Sequence, residues 1–200
     1  MRSQPRIWDP ARGHAAYLGL GGNMGDRLGH LRLALFALAS HPEIALTAVS
    51  RIYESEYVGP GRQAPYLNLC AEIRTLLHPC VLLTILQGIE TRQGRRPNSH
   101  LDPRPIDLDI LLYGDLTSAD AELTLPHPGL RHRAFVLAPL AEIAPGLRIP
   151  DSFETVASAC ASIRVHPGPW VRVWGEDELL FETERGGEAD WRAALAVHCR

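Results

Sequence analysis

The sequence predicts an α+β fold, with helices layered on a largely antiparallel sheet, and three observations lead to it. Stretches that alternate apolar and polar residues are intermixed with stretches whose apolar residues recur three and four apart, without the strict strand-helix alternation of a parallel sheet. The chain has 200 residues, 46% of them hydrophobic, enough for one full-sized core. Gly, Pro, Asn and Asp gather between the patterned stretches and mark their ends.

Taken in order, residues 1–14 are polar and bear Pro, Gly and Arg, and they read as a loose N-terminal arm. Residues 17–20 form a short strand, which Gly21, Gly22, Asn23, Met24 and Gly25 end. Asp26 caps the helix over 27–40, where Leu28, Leu31, Leu35 and Leu38 fall at helical spacing. Residues 44–53 read as a strand and 54–65, with two Gly and two Pro, as a long loop of the kind that often carries function. In the next strand Leu67, Leu69, Ala71 and Ile73 alternate with Tyr66, Asn68, Cys70 and Glu72, so Tyr66 and Asn68 share a face.

Pro79 suits the first turn of a helix that runs through Leu82, Leu83, Leu86 and Ile89 and closes near Gly94, with Gln87 and Glu90 on one surface of it. A basic loop over 95–103 leads into a strand holding Ile106, Leu108, Ile110 and Leu112 on one face and Asp107 and Asp109 on the other. Residues 121–125 read as a further strand ahead of Pro126, His127 and Pro128, and a helix follows over 134–143. Past residue 150 the texture changes. An amphipathic piece at 155–163, a strand-like 170–174 and an acidic 182–190 read as a C-terminal extension to the 15–150 domain.

The aspartate pair is the sharpest chemical signal. In a strand Asp107 and Asp109 stand roughly 6.6 Å apart on one face, and like charges that close call for a counterion. Oxygen-ligated Mg2+ is held by one or two carboxylates with substrate phosphates completing its shell. Arginines at 92, 95, 96, 104, 131 and 133 supply anion partners nearby. All 20 basic residues are arginine, so the lysine of a P-loop, of a protein-kinase site or of a pyridoxal Schiff base has no candidate. Guanidinium forks remain, and they clamp phosphates bidentately.

The formal net charge of −3 gives no general attraction for nucleic acid or for an anionic membrane. The four cysteines are scattered without a Cys-x-x-Cys and read as inert thiols. No stretch approaches the length of a membrane span, and the N-terminus lacks the apolar segment of a signal peptide, which predicts a cytoplasmic protein.

These motifs together resemble the 6-hydroxymethyl-7,8-dihydropterin pyrophosphokinase family. The resemblance covers about residues 16–150. It runs through Tyr17-Leu18-Gly19-Leu20-Gly21-Gly22-Asn23, Pro65-Tyr66-Leu67-Asn68, Gln87-Gly88-Ile89-Glu90, Gln93-Gly94-Arg95, Pro103-Arg104-Pro105-Ile106-Asp107-Leu108-Asp109, Pro126-His127 and Arg133-Ala134-Phe135. It implies a ferredoxin-like three-layer α-β-α sandwich, a monomer, and transfer of the β,γ-diphosphate of ATP to the hydroxymethyl of a reduced pterin. It also implies two Mg2+ ions on Asp107 and Asp109, phosphate contacts from Arg95, Arg104 and Arg133, and nucleotide contacts from Gln87, Glu90, Ile110, Thr124 and His127. The pterin is implied between Tyr66 and Phe135, with Gly21, Ser55, Val58 and Asn68 around its edge.

The chain departs from the family pattern at Ser55, Tyr57, Pro97, Glu122 and His100-Leu101-Asp102. A metal-dependent phosphohydrolase, and a non-catalytic pterin- or nucleotide-binding paralogue whose tail docks a partner, are the alternatives; a dimer formed through the tail is the alternative to the monomer.

Overall fold

Strand β1 (His14–Gly22) and strand β4 (Tyr66–Thr75) pair antiparallel along the whole of β1, from His14 opposite Thr75 to Gly22 opposite Leu67. The computed structural model describes residues 13–96, 102–164 and 169–175. Helix α1 (Arg27–Ala39) follows β1, and strands β2 (Ile44–Val49) and β3 (Tyr53–Ser55) then share the far side of β4. After β4 come helix α2 (Pro79–Arg92), strand β5 (Asp107–Tyr113) beside β1, and a small hairpin of β6 (Ser118–Ala119) and β7 (Thr124–Leu125). Helices α3 (Ala134–Ile143) and α4 (Val156–Arg164) precede strand β8 (Val171–Val173). Among the described residues the main sheet has six strands in the order β5-β1-β4-β3-β8, with β2 also on β4, and every pairing is antiparallel.

The period-two alternation of the strands divides the core in two. Ala16, Leu18 and Leu20 of β1 and Leu67, Leu69, Ala71 and Ile73 of β4 join Leu31, Leu35, Leu38, Leu82 and Leu86 of α1 and α2 on one face. Tyr17 and Cys70 join Val136, Leu137 and Leu140 of α3 on the other, where Val156, Ala159 and Cys160 of α4 complete the layer. Leu31, Leu35 and Leu38 are fully buried; each such side chain is worth about 1.5–3 kcal/mol. The expected α+β sandwich of three layers is the architecture found.

Several local expectations need correction. β1 runs through Gly21 and Gly22 instead of ending there, and it starts at His14, inside the expected arm; residues 1–12 lie outside the described residues. Glycine weakens a strand, which is why the pair read as a stop, but here the missing Cβ is what the packing needs. A Cβ on Gly21 would stand 2.6 Å from Asn68 Oδ1, and one on Gly22 would collide with the Pro105 carbonyl.

The strand expected over 44–53 breaks at residues 50–52. Ser50 pairs with Cys70 through its own N–H (2.9 Å) and accepts the Cys70 N–H on its hydroxyl (3.0 Å), so a side chain takes over one ladder position. In β5 a register shift opposite Tyr17 and Leu18 leaves Leu111 without a partner in the ladder. Leu112 therefore joins Leu111 in the α3 core and not Ile106, Leu108 and Ile110. The strand expected over 121–125 shrinks to Thr124–Leu125.

Candidate active site

A cleft opens on the α3 face of the sheet, and its floor consists of two rows of residues in register across three strands. Asn68, Gly21 and Asp107 form one row, and Cys70, Gly19 and Asp109 the other. The two glycines add no side chain of their own to the middle of the floor, which leaves room for the Asn68 amide over Gly21 and the Leu111 side chain over Gly19. Strands lie about 4.8 Å apart, so the Asn68 and Asp107 backbones are separated by about 10 Å. Arg133, Phe135 and Val136 at the start of α3 form one wall, and residues 56–58 with Tyr66 form another.

At the Asp107 end the groups are charged and already paired. Arg95 Nη1 lies 2.5 Å from Asp107 Oδ1, and Arg104 Nη1 donates to Oδ2 at 2.9 Å. Arg95 also pairs with Glu90, which is only 5% exposed and accepts the Leu108 N–H at 2.6 Å. Burial pushes the Glu90 carboxyl up, against the pull of Arg95 and the Leu108 N–H. The Asp109 side chain is 40% exposed on the cleft floor; desolvation by the cleft first, and the Asp107 charge second, push its carboxyl up to about 7.

His127 Nε2 sits 3.9 Å from Asp109 Oδ2. Burial, reinforced by Arg133, holds this imidazole below its ordinary pKa, so it is neutral at neutral pH. Its Nδ1 accepts the Gly129 N–H (3.0 Å), which leaves the proton on Nε2, turned toward Asp109.

The Asn68 end is neutral. Asn68 Nδ2 donates to Ser55 Oγ (2.9 Å), which fixes the amide with Oδ1 above Gly21. Tyr66 stacks on Tyr57 with ring centroids 6.3 Å apart, and the Arg133 guanidinium lies 5.9 Å from the Phe135 ring centre. The buried Asn23 joins the two ends. Its Oδ1 accepts the Arg104 N–H (2.9 Å), its own N–H donates to the Arg104 carbonyl (3.0 Å), and its Nδ2 donates to Gln63 Oε1 (3.0 Å) and the Ala64 carbonyl (3.3 Å).

Set beside known proteins, the sequence places itself. The family model described as 7,8-dihydro-6-hydroxymethylpterin-pyrophosphokinase (HPPK) matches residues 17–145. The chain belongs to this family. It is 46% identical over 165 residues to the 2-amino-4-hydroxy-6-hydroxymethyldihydropteridine pyrophosphokinase of Bacillus subtilis, covering 82% of this chain and 95% of that protein. With the Synechocystis protein of the same name the identity is 42% over 147 residues, 74% of this chain and 75% of that one.

Among solved structures, an HPPK-DHPS in complex with substrates superposes with a TM-score of 0.58 at 16% identity, over 75% of this chain and 43% of that one. The wild-type Plasmodium falciparum HPPK-DHPS gives a TM-score of 0.61 at 15% identity, over 76% of this chain and 43% of that one. At such identity the likeness concerns the fold alone, and this HPPK chain spans less than half of either.

The residues that the family resemblance singles out divide into two groups. Arg104, Asp107, Asp109 and Arg133 line the cleft at its charged end, with Arg95, Glu90 and His127 attached to them. Gly21, Ser55, Val58, Tyr66, Asn68 and Phe135 line the neutral end.

Three residues do not join them. Gln87 is exposed on α2 while Glu90 is buried, because three positions along a helix turn the side chain by about 300° and only Glu90 meets β5. The Ile110 side chain is 3% exposed in the α1/α2 core, on the opposite face of β5 from the aspartates. Thr124 turns its hydroxyl to the Asp120 carbonyl (2.9 Å) in the small hairpin, away from the cleft lining.

Of the departures, Pro97, His100 and Leu101 lie outside the described residues; the Asp102 carbonyl accepts from Arg104 Nε (3.3 Å), and Glu122 is exposed. Sequence reasoning passed over the roles of Asn23 and Glu54. Asn23 lies in a strand-to-helix loop where an Asn is unremarkable; its value comes from partners 40 and 81 residues away.

Proposed function

We propose that the protein transfers the β,γ-diphosphate of ATP to the hydroxymethyl group of 6-hydroxymethyl-7,8-dihydropterin, giving AMP and the pterin diphosphate, a step of folate biosynthesis. The observation that carries this reading is the row Asn68-Gly21-Asp107. One continuous floor connects a neutral end fit for a flat heterocycle to a charged end fit for phosphates, and its span suits a bicyclic ring with a one-carbon arm. Asn68 Oδ1 offers an acceptor to the ring edge, and Tyr66 and Phe135 offer aromatic faces. Family membership supports the same assignment.

Phosphoryl-type transfer asks a protein mainly for position and charge neutralisation. Arg95 and Arg104 pair with Asp107, and a triphosphate is a stronger partner for both forks. As they turn to it, both Asp107 oxygens become available. His127 presents an Nε2–H that donates to a phosphate oxygen without changing the charge of the site.

The donor set fits Mg2+. Asp107 and Asp109 share a cleft face, and one or two carboxylates with substrate phosphates completing the shell are what this cation uses. Bound on these two aspartates, two Mg2+ ions would supply charge neutralisation and Lewis-acid activation of the accepting hydroxyl. Action as a monomer in the cytoplasm, where ATP is abundant, belongs to the same proposal; no helix among the described residues is long and apolar enough to cross a membrane.

The test incubates the protein with ATP, Mg2+ and the hydroxymethyl-dihydropterin and follows AMP. AMP formed only with pterin present is the expected result. Phosphate or pyrophosphate released without pterin would make the protein a phosphohydrolase, and binding without turnover would make it a ligand-holding paralogue.

A further inference from the structure

The family match ends at residue 145, yet a strand beyond it bears on the cleft. Val171, Arg172 and Val173 of β8 stand opposite Ser55, Glu54 and Tyr53 of β3. The ladder continues past both ends: the Glu56 N–H donates to the Trp170 carbonyl (3.1 Å) and the Trp174 N–H to the Ile52 carbonyl (3.0 Å). β3 carries Ser55 into the cleft, and residues 56–58 follow it directly as the wall. A three-residue strand paired on one side alone belongs to the least stable class of elements, so its second neighbour matters to its position.

Side chains reinforce the backbone. The Glu54 side chain, 9% exposed, takes Arg172 Nη2 (2.6 Å) and Nε (3.2 Å) on Oε2 and Arg27 Nη1 (3.1 Å) on Oε1. The same Arg27 Nη1 donates to the Pro65 carbonyl (2.8 Å), just before Tyr66. One buried carboxylate thus ties together the start of the 56–65 loop, its finish and the C-terminal strand. Arg172 also lies over the Trp170 ring at 5.1 Å, which presets its fork, and Trp174 packs against the α1/α2 core as an anchor. At the other end of the cleft, the ion pairs of Asp107 and Glu90 involve Arg95 and Arg104 and none reaches β8.

We infer that Arg172, together with β8, is a positioning residue for the heterocycle end of the cleft: it holds Ser55 and the 56–58 wall in place and so sets the affinity for the reduced pterin, leaving the phosphate end untouched. The inference rests on the pterin reading above.

The full-length chain is compared with Arg172→Ala and Arg172→Lys by hydrogen exchange over residues 53–60, by KM for each substrate, and by melting temperature. Arg172→Ala is expected to speed exchange over 53–60 and to raise KM for the hydroxymethyl-dihydropterin about three- to tenfold, given the exposed outer partner of the pair. kcat and KM for ATP stay at the parent values, and Arg172→Lys recovers part of both changes. Unchanged exchange in Arg172→Ala overturns the tether whatever the ligand is. Faster exchange with an unchanged pterin KM overturns the positioning role, as does a parallel rise in both KM values, which marks general loosening. A parent protein that turns over no pterin at all sinks the pterin reading, and the affinity claim with it, while the exchange result still decides the tether by itself.

Discussion

At one end of the cleft Asp107, Arg95, Arg104 and Glu90 hold one another directly by ion pairs, whereas at the other Asn68, Ser55 and Tyr66 are set by strand register and neutral hydrogen bonds, with the Glu54 ion pairs supporting β3. The difference teaches how each end meets a ligand. On the proposed reading the neutral end is largely preformed, whereas the charged end, whose groups pair with one another, exchanges partners as the arginine side chains turn to phosphates. Asn23 is bonded to both ends, through Arg104 and through Gln63 and Ala64.

Replacing either aspartate is the harshest way to break this comparison. Asp107→Ala and Asp109→Ala are expected to lower turnover by on the order of 10²–10³-fold, with pterin binding by fluorescence titration and the circular dichroism spectrum retained. Full activity in either variant would remove the cation assignment.

Phe135→Ala acts on the opposite end, raising KM for the pterin by about ten- to a hundredfold, as loss of a stacking face predicts, and KM for ATP far less, through the lost contact with Arg133. Equal losses for both substrates would show that the ends are not separable. Asn23→Ala is expected to move both KM values together and to lower unfolding free energy in urea by about 1–3 kcal/mol, because it leaves the Arg104 backbone N–H without its acceptor.

A gentler probe sharpens the partner-exchange idea. Arg104→Gln frees one Asp107 oxygen, so Mn2+ affinity measured by paramagnetic resonance without nucleotide should rise by about three- to tenfold over the parent. An unchanged affinity would mean that the arginine does not compete with the cation.

The smallest expected effect is one of pH. The Asp109 carboxyl is raised from 3.8 to about 7, chiefly by desolvation in the cleft and then by Asp107, and Glu90 is raised by burial. A raised folded-state pKa means that the native protein holds the proton more tightly than the unfolded chain. Its contribution to stability is full below the unfolded value and is lost as pH climbs through the folded one. In EDTA the melting temperature should therefore decline from about pH 4 to about 7, and Asp109→Asn should flatten that slope. A variant with the parent slope would assign the dependence elsewhere.

Local patterns made much of this legible. The α3 helix occupies 134–143 as its apolar spacing predicts, Asp26 caps α1 by accepting the Gly29 N–H (2.9 Å), and the β4 alternation separates the Leu67 face from the Asn68 face. Each depends on neighbours a few residues away. The features missed depend on distant partners. Burial of Glu90 requires β5, the break at Ser50 requires Cys70, and the need for a glycine at position 21 requires the Asn68 side chain that lies over it. The strand-like 170–174 was readable as a strand, but its place against β3 was not, since nothing local encodes a partner more than a hundred residues earlier.

By itself the sequence determined the helices, the strand faces, the aspartate pair and, through ordered motifs, the family, because propensity, periodicity and motif spacing act along the chain. Only the tertiary structure decided which polar groups became a site. Register across three strands aligned Asn68, Gly21 and Asp107, and burial turned ordinary surface types such as Glu54, Glu90 and Asn23 into fixed joints, since hydrogen-bond geometry and desolvation arise only when remote segments meet.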